Sequence, residues 1–200
     1  MGKSYLNIAA GKIKPIDFEP YQNFLVQLDT MYFHAETPME VEINYHIWLH
    51  NQCDMTIHCN HDAFEFLGLY KHQFDFISCY RFLEHVKKTD VQGFIYLLST
   101  ALKVGGELDI IVPNYAILAD MILNETLTDK VKHQDWERHD TELTYELLNE
   151  PSMPHASIWT PDRIKYFFTL EERFELISLD PTYEFDGRSL YIRAKMKRVK

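Results

Sequence analysis

One mid-chain run, Phe74 to Cys79 (FDFISC), most constrains what this chain can fold into. A strand that is apolar along its length, rather than at every second position, is covered on both faces. That is the habit of parallel sheets flanked by helices. The clearest helical pattern follows at once. From Thr89 to Lys103, residues Val91, Phe94, Ile95, Leu98, Ala101 and Leu102 recur at spacings of three and four behind a Thr89/Asp90 cap. Gly105-Gly106 then offers a left-handed C-cap, and Leu108 to Val112 reads as the next strand, ending at Pro113-Asn114-Tyr115.

The alternation extends both ways. Tyr5 to Ala10 and Asn23 to Leu28 read as strands, the first turning at Gly11 and the second ending on Asp29. Strand, glycine turn, strand and acid is how open α/β sheets build a nucleotide cleft. The glycine lets backbone approach a ligand, and the acid can accept from two ribose hydroxyls. Thr37-Pro38-Met39-Glu40 has capping-box spacing and predicts a helix over about 38–50, although Met39, Val41, Ile43, Tyr45 and Ile47 also alternate as a strand would. Met55 to His58 reads as a strand, Arg81 to Lys88 as a helical turn, and Ala116 to Asn124 as a helix. Thr160-Pro161 opens another helix through Thr169. The polar, unperiodic stretch at about 125–155 reads as an inserted lid or wall. Phe174 to Leu179 and Ser189 to Met196 close the chain as strands joined through Pro181 and Asp186-Gly187. The expectation is a single domain over residues 1–200. Its fold would be α/β and Rossmann-like, a seven-stranded, mostly parallel sheet with an antiparallel last strand and helices on both faces.

With 46% hydrophobic residues, a chain of this length can bury one substantial core. Its formal net charge of −10 argues against a nucleic-acid backbone as partner, since phosphate contacts require a basic face. The basic tail (Arg193, Lys195, Lys197, Arg198 and Lys200) alternates with Leu190, Ile192, Ala194 and Met196 and reads as the wet face of a strand. No apolar run approaches the ~20 residues of a membrane span, and Met1 to Asn7 lacks a signal pattern. A small-molecule or saccharide-type partner, no nucleic acid, no membrane and a cytoplasmic location are therefore expected. The three cysteines, Cys53, Cys59 and Cys79, read as reduced, buried thiols. His46, His50, Cys53, His58, Cys59 and His61 crowd a short window, but only His46 and His50 have metal-ligand spacing. No metal is expected, and a zinc-stabilised interaction protein is the third reading of the chain. There is no G-x-S-x-G elbow to support a hydrolase nucleophile.

Three segments carry a family resemblance: Leu6-Asn7-Ile8-Ala9-Ala10-Gly11-Lys12, His72 to Val86 with its Leu83-Glu84-His85 turn, and Leu98 to Asn114 (LSTALKVGGELDIIVPN). Together they resemble the first loop, fourth strand and fifth strand of the class I S-adenosylmethionine-dependent methyltransferases. The tail, with Trp159-Thr160-Pro161 and Asp186-Gly187-Arg188, is similar to the "HxSxWT" and "DGRxLYIR" endings of a subgroup of small methyltransferases. The resemblance implies S-adenosylmethionine as cofactor. It would be held by Asn7, Ala9 and Gly11 in the first loop, Asp29 at the ribose, Met31 over the adenine, Asp62 with Ala63 at the adenine edge, and Tyr80 near the methyl donor. His85, Tyr115 and His155 are the candidate catalytic residues at the cleft mouth, with Trp159 offering an apolar face to a sugar or small ring. Plainer readings stand beside these: Asp29 and Asp62 as helix caps, Tyr80 as core packing, Trp159 as a staple against the following helix.

The first loop departs from the family's acid-x-Gly-x-Gly pattern. Asn7 stands at the acid, Ala9 at the first glycine and Ile13 at the third. An alanine fits there if its φ is negative. These departures sustain a second reading, a catalytically inactive methyltransferase-fold module for binding or assembly. The Asn/Asp-Pro-Pro-Tyr/Phe turn of amino-directed nucleic-acid methyltransferases is replaced by Cys79-Tyr80-Arg81-Phe82, which argues against bases as substrates.

Overall fold

The computed structural model describes residues 3–9, 24–28, 40, 42, 44, 46, 55–59, 61–124, 155–185 and 188–200. Strands β1 (Ser4–Ile8), β2 (Phe24–Leu28), β3 (Met55–Cys59), β4 (Phe74–Tyr80), β5 (Leu102–Pro113), β6 (Phe174–Phe185) and β7 (Arg188–Arg198) form one sheet in the order β3-β2-β1-β4-β5-β7-β6. The pairs among β1 to β5 are parallel, and β7 runs antiparallel to both β5 and β6. Helices α1 (Ala63–Leu69), α2 (Val91–Ala101), α3 (Tyr115–Leu123) and α4 (Pro161–Leu170) and a 3-10 turn at Leu83–His85 complete the described elements. The α/β class and the mixed sheet agree with the expectation. From β1 the chain steps outward to β3, then returns to the other side of β1 for β4. The order therefore reverses between β1 and β4, and open α/β sheets bind ligands outside the carboxyl ends of the strands at such a point.

The two sheet faces are chemically different. On one, Leu6, Ile8, Ile77, Cys79, Leu108 and Ile110 share a dry core with Phe66 of α1, Phe94 and Leu98 of α2, and Ile164 and Phe168 of α4. On the other, Tyr80, Ile111 and Tyr191 pack with Leu118 and Met121 of α3, beside a line of buried polar groups. Ser78 donates to the Asn7 Oδ1 at 2.7 Å, and the Tyr80 hydroxyl donates to Asp109 at 2.9 Å. Arg193 grips both Asp109 oxygens, Nη2 at 2.6 Å and Nε at 3.0 Å, and its guanidinium lies 5.0 Å from the Tyr183 ring centroid. Asp109 is wholly buried. Its desolvation is offset only because the guanidinium meets it at two points.

Several elements differ from the sequence reading. Helix α2 stops at Ala101, not at the glycine pair, and β5 begins at Leu102. Between the pairings Phe74↔Leu102 and Phe76↔Glu107 the register shifts, so Lys103–Gly106 forms a bulge. Gly105 has φ +83°, and a Cβ on Gly106 would meet the carbonyl oxygens of Lys103 at 2.9 Å and Asp75 at 3.1 Å. The glycines serve the bulge, not a helix cap. Asp90 occupies the N-cap of α2, yet its side chain makes no capping bond and accepts instead from Thr89. Pro181 lies inside β6, where its carbonyl accepts from Asn114 at 2.7 Å.

The wet-face reading of the tail fails for two arginines. Arg193 is held by Asp109, and Arg198, only 5% exposed, donates to the carbonyls of Thr100 and Leu102 and meets His72. Long stems let both carry a charge to a buried partner. Glu40, Glu42, Asn44 and His46, the described positions of the 38–50 segment, are helical, and Glu42 lies 3.8 Å from His46 one turn on. Thr160 caps α4 by accepting from the Arg163 N–H, as its place before Pro161 predicts. Cys59 and Cys79 are buried. Among the described residues no helix is long and apolar enough to cross a membrane. Gly11, Asp29, Met31, His50, Cys53, Asp186-Gly187 and the lid segment before His155 lie outside the described residues.

Two outcomes follow from these polar links. Arg193→Ala strands a buried carboxylate and should cost about 3–5 kcal/mol in urea unfolding; a cost within 0.5 kcal/mol, roughly that of a surface substitution, would show that the pair is not a buried one. Asp75 ties β1 to the bulge, accepting from Lys103 Nζ at 2.7 Å and from the Ser4 N–H at 2.8 Å. Burial pushes its pKa up, but the Lys103 and Ser4 bonds outweigh that and hold it below the usual value. A lowered carboxylate stabilises the fold above its unfolded pKa and loses that contribution as pH falls through the folded one. Asp75→Asn should therefore cost about 1 kcal/mol at pH 7, and the gap to wild type should close as pH falls below the ordinary aspartate range and through the lowered folded pKa.

Candidate functional site

The site is assembled at the carboxyl edge of β4 and β5. After Tyr80 the chain turns through Arg81, whose φ is +52°, with its N–H bonded to the Ile111 carbonyl at 2.7 Å. The 3-10 turn Leu83–His85 follows. A distant segment is strapped onto it: the N–H groups of Ala156 and Ser157 both donate to the Glu84 carbonyl, at 2.7 and 2.9 Å. The Ser157 hydroxyl donates to the Leu83 carbonyl at 3.0 Å and accepts from the Trp159 indole N–H at 2.9 Å. Trp159 is fully buried, and its carbonyl accepts from the Tyr115 N–H at 3.0 Å, which fixes the start of α3. Asn114 completes that start by accepting from the Ala116 N–H at 3.1 Å.

These anchors bring Glu84, His85, Tyr115 and His155 together. The Tyr115 hydroxyl is hydrogen-bonded to His155 Nδ1. The His85 and His155 rings lie edge to face with centroids 5.0 Å apart. One ligating atom from each of Glu84, His85 and His155 lies within 4.8 Å of the others. Glu84 is wholly buried, and no other described residue hydrogen-bonds either of its carboxylate oxygens. Burial lifts its pKa to about 8, against the pull of its own N–H and of Arg81. Burial, then His85 and Arg81, pushes His155 down to about 4. Near neutral pH the carboxyl therefore holds a proton and the His155 imidazole is neutral, an inversion of their ordinary order. Burial, reinforced by Glu84, raises the Tyr115 hydroxyl and keeps it a neutral phenol.

The other sequence candidates fall elsewhere. Asn7 sits at the carboxyl end of β1 with its amide nitrogen buried and without a hydrogen bond among the described residues. Ala9, just past β1, has φ +54°, so the condition of a negative φ under which an alanine fits there is not met. Asp62 accepts from the N–H groups of Phe64 and Glu65 at 2.9 and 3.2 Å and is the N-cap of α1, while Ala63 is buried. The Tyr80 hydroxyl is committed to Asp109 on the α3 face. Trp159 lies in the core and presents no face to an acceptor. In the histidine-rich window, His61 lies 3.9 Å from Glu65. Glu84 is the functional candidate that sequence reasoning passed over; its one signal was its place in the Leu83-Glu84-His85 turn.

The fold is that of the class I methyltransferases. The 1,6-didemethyltoxoflavin-N1-methyltransferase of Burkholderia thailandensis, with 1,6-didemethyltoxoflavin and S-adenosylhomocysteine bound, superposes with a TM-score of 0.60 at 11% identity, over 100% of this chain and 72% of that one. An S-adenosylmethionine-dependent methyltransferase of Methanosarcina mazei gives 0.59 at 16% identity, over 99% of this chain and 93% of that one. The N-methyltransferase NodS of Bradyrhizobium japonicum, complexed with S-adenosylhomocysteine, gives 0.55 at 12%, over 99% and 79%. No protein-family model and no curated protein sequence matches the chain.

The left-handed Ala9 generates a test of this loop. A Cβ at positive φ costs about 1–2 kcal/mol, and glycine returns part of that through its freer unfolded chain. Ala9→Gly should raise unfolding free energy by about 0.5–1 kcal/mol, with the denaturant midpoint as readout. A loss of that size would mean that the turn at Ala9 is not left-handed.

Proposed function

We propose that this protein transfers a methyl group from S-adenosylmethionine to a small-molecule acceptor. The observation that carries the reading is the convergence of Glu84, His85, Tyr115 and His155 beside the point where strand order reverses, in a fold shared with enzymes that bind this cofactor. The chain's residues fit the cofactor at β1. Asn7 has a buried amide nitrogen with no hydrogen bond among the described residues, and the backbone turns left-handed at Ala9 where the ligand would pass. By the family resemblance, Gly11, Asp29 and Met31 would complete that side, with Asp29 on the ribose.

The cofactor supplies a methyl group on a sulfonium, ready for in-line displacement, so the protein gains most by positioning two reactants. Tyr115 and His155 would orient the acceptor. With Nδ1 engaged by Tyr115, neutral His155 has Nε2 left to face it, and in the tautomer whose Nδ1–H donates to the Tyr115 oxygen it can take a hydrogen bond from an acceptor N–H or O–H. The buried Trp159 withdraws the aromatic surface that would have favoured a sugar, so a small molecule is preferred to a saccharide.

Calorimetry with S-adenosylmethionine and S-adenosylhomocysteine tests the reading. Both should bind, and Asp29→Ala should lose about 1.5–3 kcal/mol of that affinity. Tyr115→Phe and His155→Ala should leave it within about twofold. Absence of heat for both ligands in folded protein would leave the fold as a binding or assembly module.

A further inference from the structure

We propose that Glu84, His85 and His155 bind a single divalent transition-metal ion on the acceptor side of the cleft. Two imidazoles and one carboxylate form a donor set that suits zinc, cobalt or manganese better than magnesium or calcium, which prefer all-oxygen shells. The geometry is close to that of a bound site. Ligating atoms at about 2.0–2.2 Å from an ion stand about 3–3.5 Å apart, and here the three lie within 4.8 Å of one another before any ion draws them in. Glu84 supplies the independent observation. Its carboxylate is wholly buried, yet neither oxygen is hydrogen-bonded by another described residue. Arg81 attracts it without bonding it. Leaving a buried carboxyl group with no partner beyond its own N–H is expensive, and an ion between it and the two rings would displace its proton and satisfy it.

Tyr115 would serve such an ion indirectly. Its hydroxyl is on His155 Nδ1, which leaves Nε2 for the metal in place of a direct bond to the acceptor, and fixes the ring's orientation, the usual part of an outer partner to a ligating histidine. Three protein ligands leave coordination positions open. His85 and His155 are only partly buried, so the open side faces solvent through them. A hydroxyl bound there would have its pKa lowered. Resting on the methyl-transfer reading, this points to an acceptor that offers oxygen as the methylated atom.

The test is titration of chelator-stripped full-length protein with Zn2+ by calorimetry and with Co2+ by visible absorption. One ion per chain is expected, with affinity down at least about tenfold in His85→Ala, His155→Ala and Glu84→Gln, and about tenfold in Tyr115→Phe. His46→Ala, on the exposed helix, should bind as wild type. Melting curves establish which variants fold. Should Glu84→Gln fail to fold, the two partly exposed histidines carry the result. No binding, or binding that survives both histidine substitutions, overturns the site. Parallel titration with S-adenosylhomocysteine separates the two ideas: cofactor binding without metal binding removes the ion alone, and the reverse removes methyl transfer alone.

Discussion

Everything at the site depends on one backbone carbonyl. Glu84 C=O accepts two N–H groups, from Ala156 and Ser157, across more than seventy residues of chain. Without that double bond the strap would not lie on the 3-10 turn, and His155 would have no reason to meet His85. The carbonyl is freed for this because the turn is a single 3-10 winding with no helix continuing over it. Ser157 then passes the constraint inward to Trp159, and Trp159 passes it to Tyr115. A chain of neutral hydrogen bonds, each modest alone, thus fixes the aromatic and titratable groups from three elements.

The division of the sheet into a dry face and a polar face explains why the site sits at the edge. Asp109, Arg193 and Tyr80 neutralise one another on the α3 side, so the charge there is spent structurally. Glu84 has no such relief. Its raised pKa and the depressed His155 are consequences of burial acting on an acid and a base with opposite sign.

Much of the frame was legible in the sequence, for identifiable reasons. Phe74 to Cys79 announced a doubly covered strand because apolar residues stand at both even and odd positions (Phe74, Phe76, Ile77 and Cys79), and Thr160-Pro161 announced α4 because capping chemistry is local. The end of α2 was misread because glycine punctuation does not say whether it serves a helix or a bulge; the register against β4 decides that. Arg193 was misread because alternation assigns a face without saying what covers it. His155 was placed beside Tyr115 through the family resemblance, which orders the strands. Glu84 stayed hidden because nothing near it in sequence buries it; its surroundings include a segment more than seventy residues downstream.

The strap has a consequence for where His155 takes its position from. It is secured at one end by the Ala156 and Ser157 N–H groups on the Glu84 carbonyl and at the other by Trp159 in the core. What places His155 is thus contained in the Leu83–His85 turn, in Tyr115 and in the short run from Ala156 to Trp159.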